Sequence, residues 1–193
     1  MAKTPRIAVI IGSTRAARWA DKPAAWILKQ VQARTDMEGA LVDLRDFDLP
    51  LYDEPAPVAM KPSENPNVVK FAETISGFDG FIFVTPEYNR SIPASLKNAL
   101  DSIYAPWVRK PFGVFGYGSM GAAFAIQHLR NVGTAVQMVP VPSMVMLGGA
   151  DFFRVGPWGS EPLENAEGAL LPATATMLDD LLWWTKATMA AKA

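Results

Sequence analysis

Residues 85–101, TPEYNRSIPASLKNALD, decide the fold of this chain. They follow a short apolar run at residues 81–84, whose aromatic and β-branched side chains indicate a buried strand. A tight polar loop comes next, and from Pro93 onwards Leu96 and Leu100 recur at the spacing of a helix. Open α/β sheets are built from such units of strand, loop and helix, and their ligands lie beyond the carboxyl ends of the strands.

The same alternation continues along the chain and predicts one doubly wound α/β domain over residues 1–193. The predicted strands cover residues 6–11, 41–44, 80–85, 111–116 and 135–147. The predicted helices cover about residues 21–34, 67–76 and 172–190, with one more beginning near residue 93 and another ending near residue 132. Five strands and five helices in this order predict a flavodoxin-like parallel sheet of strand order 2-1-3-4-5 with helices on both faces.

Two long stretches are predicted as loops. Residues 45–67 contain five prolines, and a loop of this length in a compact domain is usually functional or mobile. We expect it to rim a site or to pack on a neighbouring subunit. Residues 148–171 are rich in glycine, proline and aromatic side chains, and no role for them follows from the sequence.

The charge balance and the absence of cysteine exclude several classes of function. The chain has 18 basic and 19 acidic residues, so its net charge of −1 gives no electrostatic argument for nucleic acid or an anionic membrane as a partner. It contains no cysteine, which excludes disulfides, thiolate catalysis and cysteine-ligated metals. Any redox chemistry must therefore come from a bound cofactor.

No segment is predicted to cross a membrane or to direct secretion. The apolar run at residues 7–11 is too short for the core of a signal peptide. Two uncharged stretches, residues 111–129 and 131–150, approach spanning length, but glycines interrupt the first and prolines the second. We therefore expect a cytoplasmic protein.

Three distinctive loops are predicted to meet at one edge of the sheet. They are the first loop (residues 12–18, GSTRAAR), the second loop (residues 86–89, PEYN) and the third loop (residues 116–121, GYGSMG). Strands 1 and 3 flank the point where the chain connections reverse direction, and a flavodoxin-like fold binds FMN at that point. We expect the three loops to form the cofactor site together.

The first loop has the composition of a phosphate site. Ser13 and Thr14 offer hydroxyl donors, and main-chain N–H groups at the start of a helix favour an anion. Arg15 and Arg18 can neutralise a terminal phosphate through charge-assisted hydrogen bonds. The loop lacks the Gly-Lys-Ser/Thr ending of a P-loop and the three spaced glycines of a dinucleotide fingerprint. A solvated basic turn is the alternative interpretation.

The second loop is predicted to lie along the flavin ring. Pro86 and Tyr88 provide rigid contact area, and Asn89 can hydrogen-bond the pyrimidine edge of the ring, which tunes the electronics of a flavin. Glu87 is predicted to bond a polar edge or the ribityl chain, or to cap the loop. The alternatives are ordinary packing for Tyr88 and a turn residue for Asn89.

The third loop is predicted to bring main chain close to a planar ligand, because glycine permits close approach. Tyr117 is able to stack on such a ligand, and Gly118 and Ser119 complete the predicted contact. The only histidine, His128, is interpreted as structural. No carboxylate pair, nucleophile–base pair or metal-ligand spacing is present, so we predict no catalytic side chain and no metal. Hydride transfer fits this pattern because it needs positioning rather than a catalytic side chain.

The stretch PEYNRSIPASLKNALD resembles the signature loop of the NADPH-dependent FMN reductase family, which includes flavodoxin-like quinone, azo-dye and chromate reductases. The first loop is similar to the phosphate loop of that family, with Arg18 at a position where many members carry a serine or an arginine. The third loop departs from the family, which often has a double glycine where this chain has Ser119 and Met120. The resemblance runs from about residue 6 to residue 147.

The resemblance implies an enzyme that passes hydride from NADPH or NADH through bound FMN to a small-molecule acceptor, such as a quinone, an azo compound, chromate or free flavin. It also implies a homodimer or a homotetramer. Two other functions stay open: an electron carrier, which the near-neutral charge disfavours, and a flavin-binding regulatory module without NAD(P)H turnover. A reductase that releases reduced FMN to a partner monooxygenase is a third. Neither the acceptor nor the preferred nicotinamide cofactor follows from the sequence.

Overall fold

The computed structural model describes residues 3–191, in which six strands form one parallel sheet. The strands are β1 (Arg6–Ile11), β2 (Glu38–Asp43), β3 (Gly80–Pro86), β4 (Pro111–Tyr117), β5 (Val139–Pro140) and β6 (Val145–Leu147). They lie in the order β2-β1-β3-β4-β5, and β6 also pairs with β4. The doubly wound order expected from the sequence is confirmed.

Helices cover both faces of this sheet. Within the described residues they are α1 (Asp21–Gln32), α2 (Pro66–Ser76), α3 (Ala94–Ser102), α4 (Ala123–Ala135), α5 (Gly149–Val155) and α6 (Glu167–Ala190). Side chains of α1, α5 and α6 pack on one face, and those of α2, α3 and α4 pack on the other. Every residue of β3 and β4 is consequently buried, which explains their continuous apolar sequences. None of these helices is long and apolar enough to cross a membrane.

The fifth strand predicted at residues 135–147 is wrong in its extent. Ala135 ends α4, and the chain then pairs with β4 in two short pieces, β5 and β6. Pro140 and Pro142 lack the N–H group that a sheet ladder needs, so the strand is interrupted between the two pieces.

The loop predicted at residues 148–171 is also wrong. It contains α5, a 3₁₀ turn at Leu163–Ala166 and the first turn of α6. Helix α6 begins at Glu167 instead of Pro172, which lies inside the helix. Within the described part of the chain, six strands and six α-helices therefore replace the five of each that the sequence predicts.

The proline-rich stretch at residues 45–67 is held against α3. After a 3₁₀ turn at Leu44–Asp46, the chain has no helix or strand until α2 begins. The side-chain amide of Asn98 donates to the carbonyl oxygen of Pro50 at 2.7 Å and accepts the N–H of Tyr52 at 2.8 Å. This contact fixes the middle of the stretch to the helix that follows the second loop.

Candidate active site

The register of the sheet brings the three loops to one edge. Ile11, the last residue of β1, lies opposite Asp43 on one side and Val84 on the other. Pro86, which is buried and ends β3, lies opposite Tyr117 at the end of β4. Because the strands are parallel, the first, second and third loops all leave the sheet at its carboxyl edge, as the sequence predicts.

The first and second loops are in direct contact. Ser13 is buried, and its Oγ lies 3.0 Å from the hydroxyl oxygen of Tyr88. The guanidinium of Arg15 lies 5.7 Å from the centroid of the Tyr88 ring. Arg15 is exposed and forms no ion pair within residues 3–191, so its charge is available to an anion bound at this edge.

Arg18 is engaged with two carboxylates. Its guanidinium pairs with Asp21 and Asp43, its side chain is only 3% exposed, and it also donates to the carbonyl oxygen of Ser13 at 2.9 Å. The hydrogen bond to Asp43 is the main cause that raises the pKa of Arg18. Burial opposes ionisation of Asp43, but bonds from Arg18 and from the N–H of Arg45 outweigh it and lower the pKa of Asp43. Arg18 thus shapes the first loop, and its predicted contact with a phosphate stays a prediction.

Most carbonyl groups of the first loop are hydrogen-bonded within the described chain, and most of its N–H groups are not. The carbonyl oxygens of residues 12–16 accept hydrogen bonds from the side chains of Ser95, Arg18 and Arg45. The main-chain N–H groups of residues 13–17, in contrast, donate to no atom in the described chain. Successive free N–H groups in a loop form a concave site for an anion. The first loop therefore fits the phosphate site that the sequence predicts.

The second loop is a tight turn that also holds a helix end. The main chains of Tyr88 and Ser91 exchange two hydrogen bonds of 2.9 and 3.0 Å. Asn89 adopts a φ of 50°, which asparagine tolerates well, and it is exposed. The carboxylate of Glu87 accepts two main-chain N–H groups in the first turn of α4, at 2.9 and 3.2 Å. Glu87 thus caps α4, where a negative charge is favourable, and links the second loop to the element that follows the third.

Tyr117 belongs to β4 and is packed into the core. Only 5% of it is exposed, and its ring lies 5.2 Å from that of Trp19 and 6.5 Å from that of Phe152. Burial raises the pKa of the Tyr117 hydroxyl. Protein side chains cover most of this ring, and the stacking role expected for it stays a prediction.

The remainder of the third loop is held by main-chain contacts. The N–H of Gly118 donates to the carbonyl oxygen of Leu147 at 3.1 Å, and the carbonyl oxygen of Ser119 accepts the N–H of Gly149 at 2.9 Å. Ser119 is exposed. These bonds tie the loop to the segment between β6 and α5, which the sequence leaves without a role.

An open apolar surface lies where the second loop meets the third. Met120 and Phe124 are about half exposed, at 52% and 47%. The guanidinium of Arg90 lies 4.5 Å from the centroid of the Phe124 ring, and its Nη1 lies 3.0 Å from the sulfur of Met120. This surface can contact a flat apolar molecule and offers it one cationic hydrogen-bond donor.

His128, which the sequence indicates as structural, and Lys97 of α3 both form internal contacts. The Oγ of Ser91 lies 2.6 Å from Nδ1 of His128, and Lys97 pairs with Asp101 at 2.6 Å. No group of three or more possible metal ligands occurs among residues 3–191.

Sequence reasoning missed Asp43 and Arg45. They lie at and just past the end of β2, beside the first loop in the sheet but about 30 residues from it along the chain. An acidic residue at the end of a strand that neighbours an arginine-rich loop is the signal that could have identified Asp43.

The chain is similar to known oxidoreductases along most of its length. The model of a family described as NADPH-dependent FMN reductase matches residues 5–151, a range that includes all three loops. An NAD(P)H-dependent FMN reductase of Schizosaccharomyces pombe is 36% identical over 146 residues, which cover 75% of this chain and 73% of that protein. A 2-hydroxy-1,4-benzoquinone reductase of a Burkholderia species is 33% identical over 189 residues, which cover 94% of this chain and 96% of that protein.

A solved structure also covers nearly the whole chain. FerB, a flavoenzyme NAD(P)H:(acceptor) oxidoreductase from Paracoccus denitrificans, superposes with a TM-score of 0.67 at 25% identity. The superposition covers 95% of this chain and 98% of that protein. The similarity therefore extends over α5 and α6, which lie largely beyond the matched family model.

Proposed function

The chain belongs to the NADPH-dependent FMN reductase family, and we propose that it is an NAD(P)H:quinone reductase of that family. Family membership makes it an oxidoreductase that depends on FMN and NAD(P)H. The identity of the acceptor and the contacts that hold the cofactor are the parts that we propose.

We assign the phosphate of FMN to the first loop. The observation that carries this assignment is the run of free N–H groups at residues 13–17, which belongs to the same loop as the exposed guanidinium of Arg15. A bound phosphate needs several donors and a compensating charge, and both occur here. Arg18 adds a second positive charge, which its two carboxylate partners offset.

We assign the ring of FMN to the edge formed by the second and third loops. Tyr88 is fixed by Ser13 and by its turn, and Asn89 is exposed at the tip of that turn. Because these groups are ordered before a ligand arrives, binding costs little further conformational entropy. Bound FMN supplies the two-electron chemistry that connects NAD(P)H to an acceptor. The protein needs only to position the two reactants.

A quinone fits the surface beside this edge. Met120 and Phe124 present apolar area, and Arg90 can donate to a carbonyl oxygen. A quinone combines a flat apolar ring with carbonyl oxygens, whereas chromate has no apolar surface to bury. The relative named 2-hydroxy-1,4-benzoquinone reductase is similar along 94% of this chain, which supports the same choice.

The visible absorbance spectrum of the purified protein is the first test. We expect a flavin spectrum after reconstitution with FMN, and we expect it to bleach when NADPH or NADH is added without oxygen. A flavin that neither nucleotide reduces would favour the electron carrier or the regulatory module. Absence of flavin after FMN is supplied would contradict the function as a whole.

The acceptor is tested by competition under steady-state conditions. We expect kcat/KM for 2-hydroxy-1,4-benzoquinone to exceed the values for chromate, an azo dye and free FMN by at least about tenfold, which corresponds to about 1.4 kcal/mol in the transition state. The variant R90A should raise KM for the quinone and leave the rate of flavin bleaching by NADPH unchanged. Higher kcat/KM for free FMN, with FMN dissociating during turnover, would instead favour a reductase that supplies a partner monooxygenase.

We also propose a cytoplasmic homodimer or homotetramer. The resemblance of the signature stretch is the support for the assembly. Light scattering of the reconstituted protein measures the assembly, and cell fractionation measures the compartment.

A further inference from the structure

We propose that Arg45 is a positioning residue for the cofactor phosphate: its guanidinium holds the carbonyl oxygens of the first loop so that the N–H groups face the phosphate. The inference rests on the proposed function, because it concerns the same phosphate site. Arg45 makes no contact with the second or third loop that the structure describes, and it acts through the first loop alone.

Three consecutive carbonyl groups converge on Arg45. Its Nε lies 3.4 Å from the carbonyl oxygen of Thr14, and its Nη2 contacts the carbonyl oxygens of Arg15 and Ala16, the latter at 3.3 Å. Arg18 donates in the same way to Ser13 at 2.9 Å. The carbonyl oxygens of residues 13–16 are therefore all bound by guanidinium groups.

Because peptide groups are planar, the contacts of the carbonyl oxygens also fix the direction of the N–H groups. In a planar trans peptide, the C=O of one residue and the N–H of the next point in opposite directions. When the carbonyl groups of residues 13–16 point to the two guanidinium groups, the N–H groups of residues 14–17 point away from them. Those N–H groups donate to no acceptor among residues 3–191, so they are left for an anion on the other side of the loop.

The position of Arg45 is itself fixed by the sheet. Asp43 ends β2 opposite Ile11, the residue that precedes the first loop. Its carboxylate accepts the main-chain N–H of Arg45 at 3.0 Å and also pairs with Arg18. One carboxylate thus anchors both residues that hold the loop carbonyl groups. This shared anchor distinguishes Arg45 from a surface cation that meets the loop by chance.

Arg45 and Arg15 have different tasks in this arrangement. The Nε and Nη2 donors of Arg45 are directed at loop carbonyl groups, opposite to the free N–H groups, whereas the guanidinium of Arg15 lies over the Tyr88 ring. Removal of Arg15 takes a charge from the phosphate site. Removal of Arg45 takes away the constraint that keeps several N–H donors turned to the site.

The test compares FMN with riboflavin, which lacks the phosphate, in titrations that follow flavin fluorescence. We expect R45A and R45K to weaken FMN binding by about tenfold or more, since each loses the bonds that orient several charge-assisted donors. Riboflavin affinity and the melting temperature of the cofactor-free protein should change little. R45K keeps the charge but cannot reach three carbonyl groups with a planar fork, so it should resemble R45A.

Lys70 provides a matched control. Its Nζ donates to the carbonyl oxygen of Asp46 at 3.1 Å, next to Arg45 in sequence, and it has no described contact with the first loop. K70A removes one nearby positive charge and one cation–carbonyl bond, and we expect its FMN affinity to match that of the wild type.

Each contrary outcome has a separate meaning. Wild-type affinity in R45K with a loss in R45A would show that only charge matters and would overturn the positioning role. Equal losses for FMN and riboflavin would show general damage and would overturn it as well. A wild-type protein that binds no FMN would reject the proposed function together with this inference, before any variant is measured.

Discussion

The first and third loops leave the same edge of the sheet but are held in opposite ways. Side chains from other parts of the fold, mainly Arg18 and Arg45, bind the carbonyl groups of the first loop. The third loop is held by main chain against main chain: a Cβ placed on Gly148 would lie 2.5 Å from the nitrogen of Gly121. The first arrangement leaves N–H groups and charge available, and the second allows close packing of the backbone.

This difference predicts two kinds of sensitivity. The first loop should respond to loss of Arg18, because removal of this buried side chain leaves the carboxylate of Asp43 without compensation. A loop held by backbone contact should tolerate changes of charge and respond to added volume. Substitutions around the two loops can therefore test whether the first loop is sensitive to loss of charge and the third to added volume.

The largest effect is expected for R18A. The variant leaves Asp43, whose side chain is 19% exposed, without its guanidinium partner, and it frees the carbonyl oxygen of Ser13. We expect the free energy of unfolding to fall by about 3 kcal/mol, measured in urea without cofactor. R34A is the matched control, because Arg34 also pairs with two aspartates, both more exposed, and should cost less than about 1 kcal/mol. Arg18, Arg45 and Asp43 form the clamp that holds the first loop. Similar losses in R18A and R34A would contradict a special contribution of this clamp to stability.

R15A should separate binding from stability. Arg15 is exposed and forms no ion pair in the described chain, so the free energy of unfolding should stay within about 0.5 kcal/mol of the wild type. If Arg15 donates a charged hydrogen bond to the phosphate, FMN binding should weaken by about 1.5–3 kcal/mol while riboflavin binding does not change. Fluorescence titration measures the affinities for FMN and for riboflavin. An unchanged FMN affinity would show that the phosphate does not bind to Arg15.

G148A adds a methyl group where the backbone of the third loop packs closely, and so tests its sensitivity to added volume. Its methyl group would meet main-chain atoms of Gly121 and Met120, which cannot move as a side chain can. We expect a loss of about 1.5 kcal/mol in the free energy of unfolding, and weaker binding of FMN and riboflavin by the same factor, since the phosphate site is untouched. Gly168 in α6 has no atom within 4 Å of such a methyl group, so G168A should be neutral or stabilising by up to about 1 kcal/mol. A selective loss of FMN in G148A would show that the two loops are not independent.

The sheet order and the position of the site could be predicted because they depend on local patterns. Apolar runs alternate with helical spacing, and the loops with unusual composition each follow one of those runs. Parallel pairing then places the loops together without any knowledge of side-chain contacts. The stretch at residues 86–101 that resembles the family signature lies within this predictable part.

The clamp and the α5 segment could not be predicted because they depend on tertiary contacts. Arg45 meets the first loop only through the register of β1 and β2, which an apolar run by itself does not specify. Helix α5 has seven residues, too few for a clear helical period, and is rich in aromatics. Pro172 indicates a helix start because proline is disfavoured inside helices, yet packing on the sheet keeps it within α6.

Acid should weaken the hold on the first loop. The pKa of Asp43 is lowered in the folded protein, so its ionised form adds stability above the ordinary aspartate pKa of about 3.9, and that stability is lost as the pH falls below this value. D43N keeps a side-chain oxygen that can cap Arg45 but lacks the charge. We expect it to be less stable than the wild type by about 1 kcal/mol at pH 7, and the difference should shrink as the pH falls below the ordinary aspartate pKa and through the lowered pKa of Asp43. A difference that is independent of pH would remove Asp43 from the clamp.

Alkali should weaken the packing around the third loop, which is held by backbone contacts. Burial raises the pKa of Tyr117 above its usual value of about 10, so the neutral ring adds stability below that value, and this contribution is lost as the pH rises beyond it. Y117F has no ionisable hydroxyl at this position and should lose less stability than the wild type between pH 9 and pH 11, a difference that urea unfolding can measure. Tyr117 packs on Phe152 of α5. The stability lost in alkali should therefore come from the region of the third loop. Acid and alkali would then loosen different loops. If D43N and Y117F both kept the wild-type pH profile, neither Asp43 nor Tyr117 would contribute to the pH dependence, and this distinction between the loops would be rejected.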